Sequence, residues 1–120
     1  CENGVKYYQR VLQLDPGSCE ALKSLGYAYF GGVCTKDYTK AIEYLTRANQ
    51  CFSAQKACAD VTTMLYIAQA YHLRAAAKLD ARQDGTSDFE QANKWYGQVL
   101  KCDPNNAEAK KGRDETQFEF

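Results

Sequence analysis

Residues 21–48 read ALKSLGYAYFGGVCTKDYTKAIEYLTRA, and this stretch decides the fold. Leu22, Leu25, Gly26 and Tyr29 recur at helical spacing, and so do Tyr38, Ala41, Tyr44, Leu45 and Ala48. Gly31-Gly32 marks the stop between them. The reading is two amphipathic helices folded back on each other, each covering the other's apolar stripe.

Working outward, residues 4–14 place Val5, Tyr8, Val11 and Leu12 on one helical face. Asp15-Pro16-Gly17 stops that helix, because proline disfavours helical geometry in the residue before it. Ser18 is the expected N-cap of a helix over 19–31, and Asp37 that of a helix running to about 52. Residues 53–60 hold neither Pro nor Gly and read as a turn followed by early helical winding. From Val61 the period returns, with Met64, Leu65, Ile67, Ala68 and Tyr71 on one face and a helix-favouring alanine run carrying it to about Arg82. Asp84-Gly85-Thr86-Ser87 is the next loop, with Ser87 or Asp88 as cap. Phe89, Ala92, Trp95, Tyr96, Val99 and Leu100 mark a further helix, ended by Asp103-Pro104-Asn105-Asn106. Residues 107–117 form a last, more polar helix.

Composition narrows the function. The 15 basic and 15 acidic residues cancel without any like-charge block, which argues against nucleic acid and against a polybasic membrane surface as partners. No apolar run reaches the roughly 18 residues of a membrane span, and no signal peptide is visible. Cys1 already falls inside a structural unit, so the chain reads as part of a longer one. No enzyme is expected. His72 is the single histidine and has no catalytic partner at a recognisable spacing, and neither a glycine-rich phosphate loop nor HExxH occurs. His72 reads as a packed or edge histidine rather than a metal ligand, and no cofactor is implied.

The chain repeats itself. KYYQRVLQLDPGSCEA at 6–21 parallels KWYGQVLKCDPNNAEA at 94–109. Internal repetition on this scale signals a solenoid, in which each unit buries its face against its neighbours. With Leu22, Leu25, Gly26 and Tyr29 in the pattern W-x2-L-G-x2-Y, and Met64, Ile67, Ala68 and Tyr71 repeating it more weakly, the chain resembles the tetratricopeptide repeat family of 34-residue helix–turn–helix units. Ala41 in DYTKA and Ala92 in DFEQA match the small residue of the second helix, and Pro16 and Pro104 match the closing proline.

The resemblance implies an all-α, right-handed solenoid of helical hairpins in one domain, 1–120. It divides into a half unit at 1–16, full units at 19–53 and 61–106, and a terminal helix at 107–120. Gly26, Ala68, Ala41 and Ala92 would sit at close helix crossings, with Tyr29, Tyr71, Tyr44 and Trp95 filling the gaps. The departure is in length: Pro16 and Pro104 stand 88 residues apart where two strict units would give 68. The excess falls in the Gly31-Gly32 turn, near 53–60, and mostly at 75–87, where it would lengthen the third-unit helix by two or three turns beyond its partner.

The resemblance also implies that the first helix of each unit lines a concave groove for a peptide or partner helix. On that reading the groove faces are Glu20, Lys23, Tyr27 and Phe30, then Thr62, Leu65, Tyr66, Gln69 and His72, then Glu108, Lys111 and Glu115. Tyr27 and Phe30 would stack on a ligand, and Lys23 could meet a carboxylate. Some members clamp a C-terminal carboxylate with Lys-x3-Asn on the first helix. Here Lys23 matches but Tyr27 and Tyr66 replace the asparagines, which puts that clamp in doubt.

The six cysteines, Cys1, Cys19, Cys34, Cys51, Cys58 and Cys102, admit three readings. No CxxC occurs, so zinc is weakly supported. They would also serve as small buried apolar residues. In a helical hairpin, however, the start of the first helix lies beside the end of the second, which pairs Cys19 with Cys51 and Cys58 with Cys102. Cys1 and Cys34 then share the opposite edge. Three such disulfides would imply an oxidising, extracytoplasmic setting such as a bacterial envelope. Sequence alone does not decide among the readings.

The expected function is therefore a protein–protein interaction module. The alternative is a structural spacer that packs against flanking repeats or self-associates, and a redox or metal role for the cysteines is a further one.

Overall fold

The computed structural model describes residues 2–31 and 36–117. The expected Cys1–Cys34 pair lies outside the described residues. Every regular element among those residues is helical: α1 (Glu2–Leu14), α2 (Cys19–Gly31), α3 (Tyr38–Gln55), α4 (Val61–Asp80), α5 (Thr86–Cys102) and α6 (Ala107–Gln117). The chain divides into two compact units, Cys1–Thr63 and Met64–Phe120.

Local chemistry sets most helix ends. The Ser18 hydroxyl accepts from Ala21 N–H at 3.2 Å and opens α2. Asp37 accepts from Lys40 N–H at 3.0 Å and opens α3, and Asn106 accepts from Ala109 N–H at 2.9 Å and opens α6. Each such cap satisfies an orphan donor of the first turn and contributes about 1 kcal/mol.

In the first unit α2 and α3 form an antiparallel hairpin. The start of α2 meets the end of α3 through the Cys19–Cys51 disulfide, with Cα atoms 5.5 Å apart. The end of α2 meets the start of α3 where Phe30 contacts Tyr38 edge to face, centroids 6.2 Å apart. Between them Leu25, Leu45, Ala41 and Ala48 are fully buried, with Leu22 and Ile42 nearly so. Burying one such leucine stabilises by about 1.5–3 kcal/mol. Gly26 permits the crossing: a Cβ there would lie 2.5 Å from Leu45 Cδ2 and Cγ. Tyr29 and Tyr44 stack at 5.9 Å, 5° from parallel, with Lys40 over the Tyr29 ring and Arg47 over the Tyr44 ring. Helix α1 packs on α2.

In the second unit α5 runs antiparallel to both neighbours. Arg74 and Ala75, late in α4, meet Asp88 and Gly85 at the start of α5. Asn93 donates to the Arg113 carbonyl and the Thr116 hydroxyl near the end of α6, at 3.1 and 3.2 Å. Ile67, Ala68, Ala75, Ala92, Val99 and Ala109 are fully buried, with Phe89 and Tyr96 nearly so. Gly112 makes room for Tyr96, because a Cβ there would strike the tyrosine ring.

Three boundaries differ from the sequence reading. Helix α3 continues to Gln55, and the turn occupies residues 56–60 without early winding. Asp60, not anticipated as a cap, accepts from Thr63 N–H at 3.1 Å and opens α4. Helix α4 ends at Asp80 rather than Arg82. Arg82 instead takes a left-handed φ of 58°, while Gln83 N–H reaches the Lys78 carbonyl at 2.7 Å and Arg82 N–H the Leu79 carbonyl at 2.9 Å, a Schellman closure without glycine. The N-cap of α5 is Gly85 rather than Ser87 or Asp88. Gly85 is needed there because a Cβ would lie 2.8 Å from the Ala75 carbonyl oxygen, and Asp88 is committed to Arg74 and Lys78. With 20 residues against 17 in α5, its hairpin partner, α4 is under one turn the longer rather than the expected two or three, because the rest of the added length forms the turn before α5.

Candidate functional site

Helical spacing puts Glu20, Lys23, Tyr27 and Phe30 along one side of α2, and a shared ion pair fixes its middle. Lys23 Nζ lies 2.6 Å from Asp60 Oδ2, 5.5 Å from the Tyr27 ring centroid and 5.8 Å from that of Phe52. Burial works against the ammonium, but the hydrogen bond to Asp60 and the nearby Tyr27, Asp60 and Glu20 outweigh it, so the Lys23 pKa is raised. The ammonium that Lys23 could have offered to a ligand's carboxylate is thus matched inside the chain by Asp60. Asp60 uses one oxygen for Lys23 and the other for the Thr63 amide, tying the α2 face to the start of α4. Sequence reading missed Asp60, although Asp60-Val61-Thr62-Thr63 before an apolar run carries a cap signal.

In the second unit the expected residues of α4 and α6 come together. Gln69 donates to Glu108 Oε2 at 3.1 Å. His72 Nε2 lies 3.9 Å from Glu115 Oε2, and Lys111 Nζ lies 3.9 Å from Glu115 Oε1. Helix α6 therefore lies beside the middle of α4 and runs in the same direction, its first turn at Gln69 and its last at His72. These exposed pairs are worth a few tenths of a kcal/mol at most; what they define is a continuous polar face. Leu65 and Tyr66 are half-buried, and Thr62 is exposed.

Behind that face His72 is held from α5. Its Nδ1 shares a 3.0 Å hydrogen bond with the Tyr96 hydroxyl, and its ring packs edge to face on Tyr96 and Phe89, centroids 5.9 Å away in each case. Burial, reinforced by Glu115 and Glu108, pushes the Tyr96 phenol pKa upward, so it stays protonated and hydrogen-bonded. A second polar cluster closes the α4–α5 corner. Arg74 donates to both oxygens of Asp88 at 2.9 and 2.7 Å, and Lys78 lies 2.8 Å from Oδ2. Burial would raise the Asp88 pKa, but the bonds from Arg74 and Lys78 more than reverse it and hold the carboxyl below its usual range.

Of the described cysteines, Cys19 and Cys51 form the expected bridge, and Cys58 and Cys102 are each half of a disulfide as well. No group of three His, Cys, Asp or Glu side chains converges as metal ligands would among the described residues. No helix among them is long and apolar enough to cross a membrane. No protein-family model matches the sequence, and no curated protein matches it.

Proposed function

We propose that the chain is a tetratricopeptide-like interaction module, a right-handed array of helical hairpins that binds a peptide or partner helix on the faces of α2, α4 and α6. The observation that supports the repeat is one turn built twice. Asp15 and Asp103 donate their N–H to Val11 and Val99 at 2.7 Å, and Ser18 and Asn106 donate theirs to Asp15 and Asp103 at 3.1 Å. Leu22 and Lys110 then donate to Ser18 and Asn106 at 3.1 Å. Two turns 88 residues apart repeat bond for bond, as units of one design would. The α4–α6 face supports the binding role, since it aligns side chains without a catalytic constellation. Disulfides support an oxidising, extracytoplasmic location.

Selection from a displayed peptide library tests the binding role. A selected peptide should lose about tenfold in affinity or more on Tyr27→Ala or Gln69→Ala, and little on Glu43→Ala or Lys94→Ala on exposed positions of α3 and α5. Equal losses on both sets would refute the groove.

One observation favours a second reading, a spacer that packs against other protein. No described residue of α1 is fully buried, and Tyr7 and Leu14 are 64% and 81% exposed. A concentration-dependent mass in solution would support self-association through that helix.

A further inference from the structure

Beyond its own Ala59 N–H to Lys56 carbonyl bond at 3.1 Å, the turn at 56–60 is tethered at two points only two residues apart. Asp60 caps α4 and pairs with Lys23, and Cys58 is disulfide-bonded. Cys58 is exposed and has a left-handed φ of 61°. A residue with a Cβ persists there only where its surroundings over-determine it. Cys19 and Cys51 stand in contrast, both on regular helices and with Cys19 8% exposed. Exposed bridges at strained backbone are the ones that reduce first, and bridges within packed helices resist.

We propose that the Cys58 disulfide is a redox-labile latch whose opening loosens Asp60 and, through it, the Lys23–Tyr27 portion of the α2 face. The reductant is a dithiol. One thiolate attacks Cys58 Sγ, the S–S bond breaks, and the partner sulfur leaves as a thiolate. The second dithiol sulfur then displaces Cys58, closing the reductant's own disulfide. The chain gains two electrons and two protons, and the dithiol loses the same. Freed of its bridge, Cys58 relaxes to negative φ, and the short turn can no longer hold Asp60 against both Thr63 and Lys23. The inference rests on the turn itself and stands whether or not the α2 face binds a peptide.

Graded dithiothreitol treatment of the oxidised chain tests it, followed by alkylation, peptide mapping and amide hydrogen exchange. The expected result is label on Cys58 while Cys19 and Cys51 remain bridged, with Thr63 amide exchange faster by roughly fivefold, as follows from loss of one N-cap bond. Opening of Cys19–Cys51 first or together with Cys58 would overturn the proposal. So would opening of Cys58 with Thr63 exchange unchanged. Cys58→Ser, checked for unchanged helix content, should show the fast exchange without dithiol, and slow exchange there would equally overturn it. The graded reduction needs no variant to fold.

Discussion

Arg74 grips Asp88 through both carboxylate oxygens, at 2.7 and 2.9 Å, and so pins the start of α5 to the late turns of α4. The Asp88 side chain is 4% exposed, while Arg74 and Lys78 remain 26% and 34% exposed. Asp88→Asn leaves two cations at a buried corner. It should cost about 2–3 kcal/mol, at or below the figure for a fully buried pair because both cations still reach solvent. Denaturant unfolding of the two chains measures it.

The pH dependence of that difference follows from the lowered Asp88 pKa. A carboxyl whose folded pKa lies below its unfolded value stabilises the fold above the unfolded value, near 4, and loses that contribution as pH falls through the folded one. The gap between natural chain and Asp88→Asn should hold from about pH 7 to 5 and close below about pH 4. A gap unchanged at pH 2.5 would show that the carboxylate's charge is not what stabilises the corner.

Two glycines give opposite predictions. Gly26→Ala drives a methyl into buried Leu45 and should destabilise by about 1–2 kcal/mol despite alanine's better helix propensity. Gly97, inside α5, meets nothing within 4 Å, so Gly97→Ala should stabilise by about 0.5–1 kcal/mol. Thermal unfolding of both variants checks the close crossing of α2 and α3.

Removing the Cys19–Cys51 bridge by double serine substitution should cost about 3–4 kcal/mol, the closure entropy of a loop spanning 32 residues. Non-reducing peptide maps should show Cys19 linked to Cys51 and Cys58 linked to Cys102.

If the Asp-Pro turns are copies of one unit, their caps should be energetically alike. Ser18→Ala and Asn106→Ala should each cost about 1 kcal/mol. Amide exchange localised to the first turns of α2 and α6 distinguishes this from global loss.

Much of the helix order was legible because its signals are local. Pro16 and Pro104 announce their turns, Ser18 and Asp37 are caps by residue type, and the 3.6-residue period exposes Leu22, Leu25, Leu45 and Ala48 as core. What escaped depends on distant partners. Residues 56–60 turn through a left-handed cysteine where a glycine would have been the usual signal. Gly85 caps α5 because it abuts Ala75, and Asp88 is unavailable because Arg74 and Lys78 hold it. The face of α4 and α6 was legible as a stripe on each helix. That Gln69 would reach Glu108 while Lys23 would be occupied by Asp60 required the folded chain.

The most direct test of a binding face on α4 and α6 is site-specific photocrosslinking to a selected peptide. A photoreactive side chain at position 69 should capture the peptide, and the same group at position 94, exposed on α5, should not. Capture at 94 alone, or equal capture at both, would contradict the account and move the binding surface to the outer helices.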